Sequence, residues 1–178
     1  MRPVSWDDLP DLRALKADPR VFAMMLGGVR GVVRTAEELA EDLVFWGAHG
    51  AGIWSVRARE SEAFLGITGL MERPDGLGTA LRFAFWPEAR GRGVAREAAG
   101  AALRFGHDQA GVERIVAVAR EDNFASRTVL GAIGMAECGA FMREGHRLLI
   151  YASTRAAEPS SDCSDGSSPG KETASRFW

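Results

Sequence analysis

The stretch Phe83-Ala84-Phe85-Trp86-Pro87-Glu88-Ala89-Arg90-Gly91-Arg92-Gly93-Val94-Ala95-Arg96-Glu97-Ala98 changes its hydrophobic period halfway along. Leu81 through Trp86 is a short apolar and aromatic run suited to a strand, and Pro87, which cannot donate to a ladder, ends it. From Val94 onward, Val94, Ala98, Ala102 and Phe105 recur at helical spacing, which predicts a helix over 93–110 with Gly111 as a C-cap candidate. A strand, a glycine-rich turn and a helix start therefore follow in order. A helix start presents unpaired N–H groups and the positive end of its dipole, so this arrangement favours a phosphate or pyrophosphate. Gly91 and Gly93 let the backbone come close to such a ligand.

Two phosphate-binding loops fit poorly. The nucleotide loop G-x-x-x-x-G-K-[ST] is absent, and Lys16 and Lys171, the only lysines, both stand far from the turn. The dinucleotide fingerprint G-x-G-x-x-G/A needs a small residue for close helix–strand packing where this chain has Arg96. Glu121 follows the next strand at a tolerable distance, which weakens that objection without removing it.

Upstream of the turn, Asp7-Asp8-Leu9-Pro10 followed by Leu12, Leu15 and Lys16 predicts a first helix that Asp18-Pro19 breaks. Thr35 with Glu38 reads as a capping box, and Leu39, Leu43 and Trp46 mark one face of a second helix running to about Gly47. Residues 52–58 and 63–70 read as two strands of a hairpin. Downstream follow a strand over 112–120, a helix over 124–132 and a final pair of strands. Strands that begin as a meander and then alternate with helices predict an α+β or α/β domain with a mixed sheet, partly antiparallel and partly parallel, its parallel crossover joining 81–86 to 112–118.

After Tyr151 the composition turns to Ala, Ser, Pro, Asp and Gly, too polar to bury enough surface to offset ordering. The expected organisation is one domain over 1–155 and a polar tail over 156–178 that ends in Phe177 and Trp178. Lys and Arg total 22 against 24 Asp and Glu, so the net charge of −2 excludes a general electrostatic grip on nucleic acid. The predominance of Arg reads as codon bias. Cys138 and Cys163 share no metal or redox spacing, and His49, His107 and His146 are scattered, so no metal is expected. No apolar run reaches the ~18 residues of a membrane helix and no signal segment opens the chain, which predicts a soluble cytoplasmic protein away from membranes. Trp46, Trp54 and Trp86 read as core or cleft wall rather than a stacking platform.

The pattern R/Q-x-x-G-x-G/A, met by Arg90, Gly93 and Ala95, resembles the coenzyme A pyrophosphate loop of the GNAT superfamily of N-acyltransferases. The run 83–98 is similar to that family's fourth strand, loop and third helix. A second block, Val116-Ala117-Val118-Ala119-Arg120-Glu121-Asp122-Asn123-Phe124-Ala125-Ser126-Arg127-Thr128-Val129-Leu130-Gly131-Ala132-Ile133-Gly134-Met135, resembles its fifth strand, N-x-x-S helix and small-residue turn. Arg2-Pro3-Val4-Ser5-Trp6-Asp7-Asp8-Leu9-Pro10 is similar to the opening of the ribosomal-protein N-terminal acetyltransferase branch, with a first strand reduced to a stub. The resemblance covers residues 2–151.

It implies a mostly antiparallel sheet with one splayed parallel pair, flanked by helices, and acetyl-CoA as co-substrate. Pantetheine is expected to pair with the backbone at Phe85, an N–H at Ala84 or Phe85 to polarise the thioester carbonyl, and Arg90, Gly91, Arg92, Gly93, Val94 and Ala95 to hold the pyrophosphate. Asn123 is expected to cap its helix or to bond pantetheine or acceptor, Arg127 to join the cofactor contacts, and Ser126 to protonate the departing thiolate. Many relatives carry a glutamate early in the fourth strand as base; Thr79-Ala80-Leu81-Arg82 has none, which leaves water, backbone carbonyls or a carboxylate such as Glu62 or Glu72. The implied reaction is direct acetyl transfer to a primary amine, on a protein or peptide N-terminus or a small molecule, in a homodimer. A non-catalytic acyl-CoA sensor or interaction module is the alternative.

Overall fold

The hairpin expected over 52–70 is the start of the sheet. In a computed structural model that describes residues 1–73 and 78–155, it forms from β2 (Ile53–Arg57) and β3 (Phe64–Glu72), paired antiparallel. The tail expected over 156–178, with Cys163, Phe177 and Trp178, lies outside the described residues. The remaining strands are β1 (Arg2–Pro3), β4 (Thr79–Phe85), β5 (Arg114–Arg120), β6 (Ala136–Arg143) and β7 (His146–Thr154). They complete a seven-stranded sheet of order β1-β2-β3-β4-β5-β7-β6, antiparallel at every junction except β4–β5. The mixed sheet and the stub of a first strand are as expected.

Among the described residues, five α-helices cover the two faces: α1 (Leu9–Ala17), α2 (Pro19–Phe22), α3 (Val32–His49), α4 (Val94–Asp108) and α5 (Phe124–Ala132). Asp18 both ends α1 and starts α2, its carboxylate accepting the Arg20 N–H at 2.8 Å. Strand alternation sends Ile53, Ile67 and Ala84 to the face where Leu12, Leu15, Phe22 and Leu39 of α1 to α3 pack. It sends Trp54, Leu70 and Leu81 to the other face, against Ala99, Ala102 and Leu103 of α4. There Gly106 is required by close approach, since a Cβ would fall 2.6 Å from Ile115 Cδ1 and 2.7 Å from Leu70 Cδ1. Trp46 and Trp54 meet edge to face within this core, as the sequence predicts, and the Trp46 indole donates to the Ile53 carbonyl at 2.8 Å.

One expectation is overturned. Thr35 is not an N-cap: α3 starts at Val32 with Gly31 in the cap position, and Thr35 is an interior residue whose hydroxyl donates to the Gly31 carbonyl at 3.0 Å. Glu38 does not fold back on the helix start, because buried cations on neighbouring segments compete for it more strongly than a backbone N–H. The helix also passes Gly47 and closes at Gly50, whose φ of 61° carries the N–H back to the Trp46 carbonyl at 3.0 Å.

Candidate active site

Strands β4 and β5 pair at only two positions, Thr79↔Ile115 and Ala80↔Val116, and then diverge. Ladder geometry determines what faces the gap. Trp86 N–H donates to the Leu65 carbonyl, so even-numbered residues of β4 bond to β3, and alternation turns the N–H and C=O of Phe83 and Phe85 toward β5. Likewise Glu121 N–H donates to the Arg147 carbonyl, so Val118 turns its N–H and C=O, and Arg120 its N–H, toward β4, while the Arg120 carbonyl accepts the Asn123 N–H at 2.9 Å. Two edges of backbone donors and acceptors thus face a space too wide for a ladder, and an amide-bearing chain such as pantetheine has the groups to satisfy them. Phe85 faces this gap as expected, whereas Ala84 turns its backbone polar groups to β3.

Beyond the gap, Gly91 (φ 73°) and Gly93 (φ 76°) adopt the left-handed conformation that glycine alone adopts without strain. A Cβ built on either finds nothing within 4 Å, so the loop surface is open. Gly93 caps α4 with no side-chain hydrogen bond, which leaves the first-turn N–H groups of Val94, Ala95 and Arg96 available. This cradle fits a pyrophosphate. The two arginines divide: Arg90 donates to the Arg20 carbonyl at 3.0 Å and ties the loop to α2, while Arg92 lines a groove separate from the strand gap, with Arg57, Arg59 and Val94 of the cradle.

A cavity of about 220 Å³ joins the gap to the face of α3. Ala80 to Phe83 and Ala117 to Arg120 form its floor, Asn123 and Ser126 one wall, and Met24, Met25, Arg30, Glu38 and Asp42 the opposite wall. The Asn123 side-chain carbonyl accepts the Ser126 N–H at 3.2 Å, so Asn123 caps α5 and holds Ser126 in the wall. Arg127 is not brought to the cavity: its guanidinium donates to the Glu121 carbonyl at 2.9 Å and stacks on Phe124 at 5.5 Å.

The opposite wall holds a charged cluster that the sequence reading missed. Glu38 accepts Lys16 Nζ at 2.7 Å and Arg30 Nε at 2.7 Å, and lies 3.4 Å from Arg34 and 3.9 Å from Arg82. Burial pushes the Glu38 carboxyl up, but Lys16, Arg82 and Arg30 outweigh it and hold it at about 2. Asp42, one turn later, is pushed up to about 6 by burial, which Lys16 and Arg82 only partly oppose. Arg82 of β4 faces Glu38 across the cavity wall. Glu62 lies in the separate groove and Glu72 at the exposed end of β3, so neither reaches the cavity. His107 holds α4 to β7 through the Val112 carbonyl (2.7 Å) and Ser153 (2.9 Å), away from the cleft.

A sheet opened at a parallel pair, with a pyrophosphate cradle at the end of the opening, defines an acyl-CoA-dependent acyltransferase. The model of the acetyltransferase (GNAT) domain matches residues 1–136, and the chain belongs to that family. It is an acyl-CoA-dependent N-acetyltransferase. An acetyltransferase from Agrobacterium tumefaciens is 25% identical with a TM-score of 0.74, the match covering 85% of this chain and 88% of that one. A spermidine N-acetyltransferase from Vibrio cholerae, solved with CoA and spermine, is 16% identical with a TM-score of 0.73, covering 87% and 94%. A ribosomal-protein-alanine N-acetyltransferase from Brucella melitensis is 20% identical with a TM-score of 0.69, covering 86% and 98%.

Proposed function

We propose that the chain acetylates a primary amine, on a peptide or protein N-terminus or a small molecule, by direct attack on acetyl-CoA in a ternary complex. The observation that carries this reading is the cavity that joins the β4–β5 gap, Ser126 and a carboxylate-bearing wall. Acetyl-CoA supplies the activated acetyl group. Phe83 and Phe85 of β4 and Val118 and Arg120 of β5 offer backbone partners for pantetheine, and the Phe85 N–H is placed to polarise a carbonyl in the gap. The 91–95 backbone holds the pyrophosphate, and Ser126 supplies a proton to the departing sulfur. Two of the similar structures carry names of enzymes that act on amines, spermidine in one and ribosomal-protein alanine in the other, which supports an amine acceptor. A screen of amines and alanyl peptides with acetyl-CoA, read by thiol release, tests this; thiol release that no amine accelerates would sink it.

Ser126→Ala is expected to lower turnover roughly tenfold, the low end for a lost general acid because a coenzyme A thiolate leaves tolerably well unaided, with unchanged acetyl-CoA affinity. Full turnover at saturating substrates would move the acid role to water or another side chain. Asn123→Ala is expected to lower stability by about 1 kcal/mol through the lost cap, and to weaken substrate binding as Ser126 loses its support. Coenzyme A at a hundredfold excess over its dissociation constant is expected to stabilise the fold by about 2.7 kcal/mol, read as a raised melting temperature.

A homodimer in the cytoplasm completes the proposal, on the strength of the branch resemblance. Sedimentation showing only a 19.2 kDa species would refute the dimer.

A further inference from the structure

We propose that Asp42 receives the ammonium of the acceptor in the cleft and takes its first proton, so that the nitrogen meets the thioester as a neutral amine. This rests on the amine-acetylation reading above and assigns the base that reading leaves open.

Three carboxylates reach the cavity from one side of α3, and two are already satisfied. Glu38 is held by Lys16 and Arg30 at 2.7 Å each, and Glu41 lies exposed at the rim with Arg34 at 3.2 Å. Asp42 is different. It is only 9% exposed, lines the same cavity as Ser126 and the splayed strands, and makes no hydrogen bond or ion pair among the described residues. Its carboxylate oxygens are not among the sealed, unpartnered atoms of the described residues, so they open on the cavity, where an occupant can reach them.

The surrounding charges define what that is. Lys16 of α1 and Arg82 of β4 face Asp42, as do Glu38 and Glu41 of its own helix. The Lys16 ammonium is committed to Glu38 and does not discharge Asp42. A cavity occupant with positive charge and N–H donors, as an acceptor ammonium has, complements this carboxylate. Burial places the Asp42 carboxyl at about 6, so at neutral pH it is mostly ionised yet close enough to proton affinity to act as a base.

The step balances. The ammonium gives one proton to Asp42, and the freed nitrogen lone pair forms the C–N bond to the acetyl carbon. The C–S bonding pair leaves with sulfur, which takes the second nitrogen proton through Ser126 or solvent. Asp42 then releases its proton to solvent. Ammonium and thioester become amide, thiol and one proton.

The test is Asp42→Asn assayed with an alanyl peptide and with spermidine across pH 5 to 9. Amine kcat/KM at pH 7 is expected to fall by about 10²–10³-fold while acetyl-CoA affinity is unchanged. The acidic limb near pH 6 should disappear, with rate returning only as pH approaches the amine's own pKa, about 8 for an α-amine. Asp42→Glu should restore part of the rate and the limb. At pH 8 the Asn variant should also melt higher than the parent, because it removes a buried unpaired charge; a carboxylate kept for structure would give the opposite shift. Parent-like kcat/KM with the limb intact in Asp42→Asn would overturn this assignment alone. A parent enzyme that binds acetyl-CoA but acetylates no amine overturns the proposed reaction and the assignment together.

Discussion

Glu38→Ala is expected to lower stability by about 3–5 kcal/mol, the range for breaking a buried ion pair from one side. A domain of this kind has about 5–15 kcal/mol in total, so the variant should be largely unfolded or sharply sensitised to denaturant. The reason lies in what remains. Lys16 is fully buried and Arg30 nearly so, with Arg82 beside them, and Glu38 is the carboxylate all three address. Without it, cations on α1, the segment before α3 and β4 are left together out of water. The wild-type cluster also makes acid stability predictable. Glu38 has its carboxyl depressed from 4.5 to about 2, so its contribution is complete above pH 4.5 and is lost as pH falls through 2. Urea midpoints of variant and parent at pH 7, and of the parent across that acid range, check both statements; a variant within 1 kcal/mol of the parent on the scale of a surface ion pair would show the cluster to be dispensable.

Gly93→Glu is expected to weaken coenzyme A binding roughly 100-fold or more while leaving the sheet intact. Two effects act at one residue. The φ of 76° costs any L-residue about 1–2 kcal/mol, which Gly93→Ala carries alone. The glutamate adds an anion at the start of α4, where it caps the open N–H groups and repels the pyrophosphate; losing one or two charge-assisted hydrogen bonds of about 1.5–3 kcal/mol each gives the factor stated. Because the space beyond the Gly93 Cβ is open, the side chain meets solvent rather than core. Calorimetric titration of Gly93→Ala and Gly93→Glu separates strain from charge, and parent-like affinity in the glutamate variant removes the cradle from the site.

Much of this was legible in the residues because the signals are local. The turn at 90–95 announces itself through Pro87, two glycines and a change of period, and Asn123 caps the helix that its spacing predicts. The acceptor wall was hidden because it is tertiary. Lys16, Glu38 and Arg82 come from three separate elements, and no sequence spacing links them. One signal was available: Glu38 and Asp42 stand one turn apart, within the stripe of Thr35, Leu39, Leu43 and Trp46, so α3 carries carboxylates on its inward side. The capping-box pattern of Thr35 and Glu38 offered a local use for that glutamate, and the buried cations took it instead. Arg127 was likewise expected among the cofactor contacts, yet its guanidinium donates to the Glu121 carbonyl.

The two-pair junction between β4 and β5 divides the sheet mechanically. Strands β1 to β4 form one plate and β5, β7 and β6 another, joined at one end by Thr79, Ala80, Ile115 and Val116 and bridged by α4, which packs on β3, β4 and β5. The amides of Phe83, Phe85, Val118 and Arg120 lie in mid-sheet yet lack the ladder protection their position implies. In deuterated solvent they should exchange on the timescale of loop amides while their odd–even neighbours on the same strands stay protected, giving an every-second-residue pattern that coenzyme A would erase.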